Sequence, residues 1–369
     1  VINITNTFEY LVELITNLSI TFGETTKEIF IKAFLEAFKL EITTEEGWLP
    51  VNKYVAVCNE GEAKLRISFT VEANQPAITA HDAEIHGGMY QTNLPILKII
   101  LNSDSYLYPY TLLEKMTVEQ VSIETVVSGI RDLKLHSQFG ELSPTSPFLP
   151  FGPAPHIGAY LVIGKNEVFQ KSLDELSLDL EWFNLPDNQS GFFGHYAGYE
   201  LPLDNTSFEA NLSVMSDGRW IPENIETRQK VKLFRTKNNP TNNIPQGESA
   251  LYPVTKIENI NISNLRLSHN YEDLTKQNVY SNMSDRGFMK LEFAGPHFGF
   301  GHDLYPTVVS KITMENSRVS FARIARNGFK RPAPLAQPKA PHSPQLQSIS
   351  LNYTSTSTIS VSYTHLRAH

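Results

Sequence analysis

"LSLDLEW", residues 176–182, puts Leu176, Leu178, Leu180 and Trp182 on one face of an extended chain and Ser177, Asp179 and Glu181 on the other. Side chains alternate across a strand, so this pattern buries one face of a sheet and wets the other. "KLRISFTVE" (64–72) repeats it with Leu65, Ile67, Phe69 and Val71, and "SFEANLSVM" (207–215) with Phe208, Ala210, Leu212 and Val214. Half-buried strands of this kind belong to antiparallel sheets rather than βαβ units. Further strands are expected at 95–101, 118–135, 158–163, 229–235, 257–267, 288–294 and 317–325. Residues 24–43 read as a short helix passing into a strand: Thr25 and Glu28 have capping-box spacing, and Phe30, Phe34 and Phe38 form a stripe. The fold class is therefore mainly β with minor α, built from small antiparallel sandwich- or barrel-like domains.

Composition narrows the function. Apolar residues at 41% and charged residues at 19% describe a globular chain, not a disordered one. The net charge of −8 disfavours nucleic acid as a partner. No apolar run reaches the roughly 20 residues of a membrane helix. Cys58 is the single cysteine, which excludes an intramolecular disulfide and a thiolate zinc cage. The Asn-x-Ser/Thr triplets are read as chance in a chain rich in all three residues.

"SPTSPFLPFGPAPHIGAYLVIG" (143–164) spaces Pro144, Pro147, Pro150 and Pro153 by three. Polyproline II has three residues per turn, so the prolines are expected along one edge of a stiff ribbon. Phe148, Phe151 and Ala154 would share a second edge that needs burial. Such a ribbon is suited to clamping structural units together.

The chemistry-bearing candidates are few. "GPHFGFGHDLYP" (295–306) offers His297, His302 and Asp303, but a zinc site needs further ligands, and the histidines are expected to bond loop backbone. "HDAEIHGG" (81–88), read as a loop, lacks the zincin geometry. Asp179 and Glu181 are expected on a solvated face. No nucleophile elbow, P-loop or dinucleotide fingerprint occurs. No catalytic residue, metal or cofactor is assigned.

At "PFLPFGPAPHIGAYLVIGKNEVFQKSLDELSLDLEW" (147–182) the chain resembles baseplate wedge proteins of phage-tail-like contractile injection systems, the baseplate J-like family, and a related type VI secretion baseplate subunit. The matching positions are Pro147, Phe148, Pro150, Phe151, Gly152, Pro155, Gly158, Ile163, Gly164 and Trp182. Further similar pieces are "VSGIRDLKLHSQFGEL" (127–142), "SFEANLSVMSDGRW" (207–220) with Trp220, "FGFGHDLYP" (298–306) with His302 and Tyr305, and "PQLQSISLNYTS" (344–355). The segment "HIGAYLVIG" departs from the family's usual Gly-Ser-aromatic lead, which bears on the subgroup.

The resemblance implies a scaffold without a reaction. It would act in a large oligomeric ring with other wedge copies, the hub and spike, and sheath-connecting proteins, assembled in the bacterial cytoplasm with no direct membrane insertion. Carbohydrate-binding or carbohydrate-active sandwiches and surface adhesins are the alternatives. Domains are expected at 1–95, 96–240 (with the Pro-Phe-Gly block) and 241–330, followed by a Pro-rich linker at 331–346. Residues 347–360 are expected to open a domain that the chain leaves incomplete, and 361–369 are read as non-native.

Overall fold

A computed structural model describes residues 2–5, 8–34, 37–59, 64–72, 74–88, 90–92, 94–104, 117–165, 168, 172–201, 203–216, 219–237, 247–261, 288–324 and 335–360. The protein is mainly β, with 37% strand against 20% helix. It divides into one unit of Val1–Glu124 with Thr356–His369, and a second of Thr125–Ser355.

In the first unit, β1 (Ile2–Thr5), helix α1 (Phe8–Phe22) and helix α2 (Thr26–Phe34) precede β2 (Phe38–Thr44), β3 (Gly47–Val51), β4 (Val55–Asn59) and β5 (Lys64–Ser68). Short helix α3 (Ala83–His86), β6 (Leu97–Leu101) and the start of β7 (Thr117–Ile130) follow. β7, β1, β5 and β4 lie side by side, and β3, β2 and β6 form a separate antiparallel sheet. α2 begins as its sequence requires. The Thr25 N–H donates to Glu28 Oε2 at 2.9 Å, and the Glu28 N–H donates back to Thr25 Oγ1 at 3.2 Å. The Thr25 N–H and the Thr25 hydroxyl, which also donates to Glu28 Oε2 at 2.8 Å, hold the Glu28 carboxyl below its ordinary range, since both bonds favour the charged form. The aromatic stripe continues into β2. Phe30 lies 4.5 Å from Phe34, and Phe34 lies 6.3 Å from Phe38. The Tyr54 hydroxyl, accepting from the Phe38 N–H and donating to the Phe34 carbonyl, fixes the passage from helix to strand. α1, which the alternation does not anticipate, adds Ile15 to this core.

The second unit is a two-sheet sandwich around one core. Its strands are β8 (Lys134–Ser137), β9 (Gly140–Leu142), β10 (Tyr160–Gly164), β11 (Glu175–Phe183), β12 (Glu209–Ser216), β13 (Arg219–Ile221), β14 (Gln229–Lys232), β15 (Val254–Ile257), β16 (Phe288–Gly295) and β17 (Gln345–Ser360). One sheet runs β15-β11-β17 to the end of β7, and the other runs β13-β12-β16-β10-β8-β9 with β14 also on β12. Among the described residues no closed barrel forms. The alternating residues point into the core as their spacing requires: Leu176, Leu178, Leu180 and Trp182 of β11 meet Ala210, Leu212 and Val214 of β12 and Leu291 and Phe293 of β16. Each such side chain contributes about 1.5–3 kcal/mol by leaving water. The Trp182 Nε1–H is satisfied inside the core by the Leu233 carbonyl at 2.9 Å and Thr255 Oγ1 at 3.2 Å.

Several expectations need correction. Residues 317–324 of the strand expected at 317–325 lie in helix α5 (Tyr305–Ile324). Pro306 sits in its first turn, where a missing N–H costs no intrahelical bond, and Val308, Ile312 and Asn316 recur at helical spacing on its half-buried side. The strand expected to open a separate domain is β17, which pairs with β11 from Phe183↔Gln345 to Glu175↔Thr354 inside the second unit. The run at 64–72 is a strand only over Lys64–Ser68. Of the strand expected at 257–267, Ile257 ends β15 and 258–261 are not strand, while 262–267, like 331–334 of the expected linker, lie outside the described residues.

Leu178 faces Leu351 and Ile257 across its two neighbouring strands and is fully buried. Leu178→Ala is expected to lower unfolding stability by about 2–5 kcal/mol in urea titration, the range for a cavity that cannot collapse.

Candidate functional site

The Pro-rich strip is not a continuous polyproline ribbon. Turns at 144–145 and 150–151 break it, and Gly152 takes φ 80°, which a left-handed proline helix does not allow. Its edges are mixed accordingly: Pro150 and Pro155 are buried, Pro147 and Pro153 are exposed, and Ala154 faces out. Phe148 and Phe151 are buried, at 7% and 1% exposure, in the core of the second unit. Phe148 exchanges two backbone hydrogen bonds with Leu346 of β17, at 3.0 and 2.9 Å. Phe151 packs its ring 5.9 Å from Phe293 of β16. The strip thus touches both sheets of the sandwich.

Two other segments converge on it. The Gly158 N–H donates to the Phe293 carbonyl at 2.9 Å, where the chain turns into β10. Gly299, at φ 58°, lies so close to the Pro155 carbonyl that a Cβ there would sit 2.1 Å from its oxygen. The third segment is 338–346. Ser343 Oγ donates to the Pro153 carbonyl at 2.6 Å. Its single proton is spent there, so it accepts from His302 Nε2–H at 3.1 Å. Pro strip, glycine loop and residues 338–346 are therefore joined by one hydrogen-bond chain.

Beside this junction lies an aromatic box. Phe192 and His195, of helix α4 (Gly191–His195), join Tyr196, Tyr199, Phe208, Phe234 and Phe300. Phe208 stacks on Phe300 at 4.2 Å with a 10° tilt, and Phe192 lies 4.7 Å from Phe208. Asn205, fully buried, builds the corner: its Oδ1 accepts from the Phe192 N–H at 2.8 Å and its Nδ2 donates to the Ser249 carbonyl. The box holds residues 338–343 by their backbone. The Tyr199 hydroxyl donates to the Lys339 carbonyl at 2.8 Å, and His195 Nε2 to the Ala340 carbonyl at 2.9 Å. The His342 N–H donates to the Tyr196 hydroxyl at 3.2 Å, and that hydroxyl donates to the Phe300 carbonyl. Burial pushes the Tyr199 phenol up to about 12, so it stays a donor throughout the ordinary pH range. The end of the expected linker is therefore pinned, with Pro338 and Pro344 buried.

The remaining sequence candidates take structural places. Gly164 ends β10 opposite Phe288 and Lys134, and Ile163 beside it is fully buried. Trp220 faces Met215 across β13 and β12, with Lys290 Nζ 5.0 Å over its ring. Tyr305 stacks on Tyr199 at 6.3 Å. His297 is exposed against Phe298, whereas His302 turns to Ser343. In the first unit His86 lies on α3, not in a loop. The Asp82 N–H donates to its Nδ1, so its Nε2–H donates to the Thr44 carbonyl at 2.8 Å. Trp48 and Tyr90 meet edge-on at 67° and Lys98 covers the Trp48 ring at 3.3 Å, unlike the coplanar open faces that a sugar platform presents. Asp179 and Glu181 bond Asn352 and Ser348 on the next strand. Sequence reading missed Tyr196, Tyr199 and His342, whose only signal is their aromatic type.

Gly299→Ala and Gly152→Ala both force an L side chain into a left-handed backbone, at about 1–2 kcal/mol each. The Gly152 clash is with the ring of Phe139, which is 69% exposed and able to swing away, whereas the Gly299 clash is with backbone. Thermal unfolding is expected to show the larger loss for Gly299→Ala. Among the described residues no group of three or more His, Cys, Asp or Glu is placed to hold a metal ion. Mass spectrometry of the native protein is expected to find no stoichiometric zinc, and none that the double variant His297→Ala/His302→Ala removes. No family model matches the chain, and no curated protein is found to match it.

Proposed function

We propose that the chain is a structural subunit of a multi-protein particle, of the baseplate-wedge type found in contractile injection systems, and that its work is assembly rather than turnover. One observation supports this reading above the others. The pieces that carry the family resemblance are far apart in sequence, yet 147–164, 298–305 and 344–355 meet at the junction around Phe148, Ser343 and Gly299. A set of motifs that packs together is what a shared structural element would leave in the sequence. The groups at the junction bond backbone carbonyls of their own chain, which suits rigidity rather than substrate binding.

Exposed apolar side chains near the strip add support. Phe139, over Gly152, is 69% exposed, and Ile157 is 46% exposed. Large apolar groups in water next to a rigid element suit a subunit contact. The partners of this reading are further wedge copies, hub or spike proteins and sheath-connecting proteins, met during assembly in the bacterial cytoplasm. Among the described residues no helix is long and apolar enough to cross a membrane.

The test is co-expression with the genes that flank its own. The chain is expected to enter a ring-shaped particle with sheath and tube proteins. Phe139→Ser is expected to leave its melting temperature within a few degrees while reducing that incorporation severalfold. A chain that stays monomeric beside all its neighbours, or one that a glycan array retains, sinks the reading.

A further inference from the structure

We propose that residues 338–343 form an acid-releasable strap, held shut while His195, His302 and His342 are neutral and freed from the aromatic box when they take up protons. The proposal is independent of the function argued above and rests on how the strap is held.

His342 is 9% exposed, its ring 5.4 Å from Phe192 and 6.1 Å from Phe300. Its Nε2 is buried with no hydrogen-bonding partner among the described residues. A proton there would put a charge among phenyl rings with no acceptor. His302 is similar. Its Nε2–H is already committed to Ser343, so a second proton must go to Nδ1, which is buried and has no partner among the described residues. His195 faces His342 at 6.2 Å between ring centres and itself holds the Ala340 carbonyl. Two of the three histidines thus hold the strap by hydrogen bonds, and the third is its plug.

The charged and titratable surroundings favour release in acid. From α4 and the turn after it come His195, Tyr196, Tyr199 and Glu200, the last paired with Lys311 of α5. The glycine loop brings exposed His297, His302, Asp303 and Tyr305, the strap brings Lys339, and the Pro strip brings exposed His156. Burial, and then the charges of His195 and His302, hold His342 down to about 4. Burial also lowers His195 and His302, the latter opposed by Asp303. The sign follows from linkage. A freed strap returns these groups to the ordinary value near 6.5, so above that pH protons do not discriminate between states. As the pH falls from 6.5 toward 4, the open state takes up protons that the closed state refuses. His342 alone shifts the balance toward opening by roughly thirtyfold at pH 5.

Hydrogen exchange of the full chain at pH 7.5 and 5.0, corrected for the intrinsic pH dependence of exchange, reads this directly. Protection of the His342 amide, which donates to the Tyr196 hydroxyl, is expected to fall at least tenfold at pH 5.0, while that of 176–182 in β11 holds. His342→Phe keeps a ring in the box and takes no proton, so it is expected to abolish most of the fall. His342→Asn serves if that variant does not fold. A residue-342 amide unprotected at pH 7.5, a fall below threefold, a fall shared by β11, or an equal fall in the non-titrating variant each overturns the proposal.

Discussion

The second unit depends on a single backbone exchange, the pair of hydrogen bonds between Phe148 and Leu346. Two residues nearly two hundred positions apart in sequence are made neighbours, and everything between them must close as one loop. That closure has an entropic cost that grows slowly with length. It is offset because the bridge is not alone. Phe148 drops its ring into the core that β11 and β17 share, and Phe151, three residues on, does the same against β16. Prolines on either side lower the cost further, since they restrict the unfolded chain before it folds. The strip therefore acts as a staple across one end of the sandwich, with few backbone donors of its own left to satisfy.

How far this was legible depends on what each residue's neighbours are. β11 could be read outright, because Leu176, Leu178, Leu180 and Trp182 face a core while Ser177, Asp179 and Glu181 face a half-wet surface. β12 could be read only in part. Its inner residues alternate as expected, but Asn211, Ser213 and Met215 on the other face are buried as well. Alternation reports which face is apolar and cannot report that the polar face is also covered. Helix α5 shows the opposite failure. Val319 and Phe321 alternate as in a strand, whereas Val308, Ile312 and Asn316 keep the helical period that prevails over twenty residues.

The junction was legible as residues and not as geometry. Spacing by three identified Phe148 and Phe151 as side chains in need of cover, and both are covered. It could not supply the turns, because a turn is decided by one residue, Gly152, whose φ contradicts the polyproline period around it. Nor could it join the strip to His302 and Ser343. Those contacts run between residues 41 and 190 positions apart, and one serine hydroxyl carries them both.

The aromatic box and the histidines around it follow from the same dryness. Phe192, Phe208, Phe234 and Phe300 exclude water, so any polar group that enters must bring its partner along. The backbone of 338–343 does so through Tyr196, Tyr199 and His195, each supplying one hydroxyl or ring nitrogen to one main-chain atom. The imidazole of His342 does not. It is tolerated because a neutral imidazole costs little to bury without a bond, whereas an imidazolium costs far more. A segment held by hydrogen bonds at its backbone and by neutrality at its side chain has two kinds of attachment with different sensitivities. Heat and denaturant weaken the whole sandwich together with the first kind, whereas a proton acts on the second.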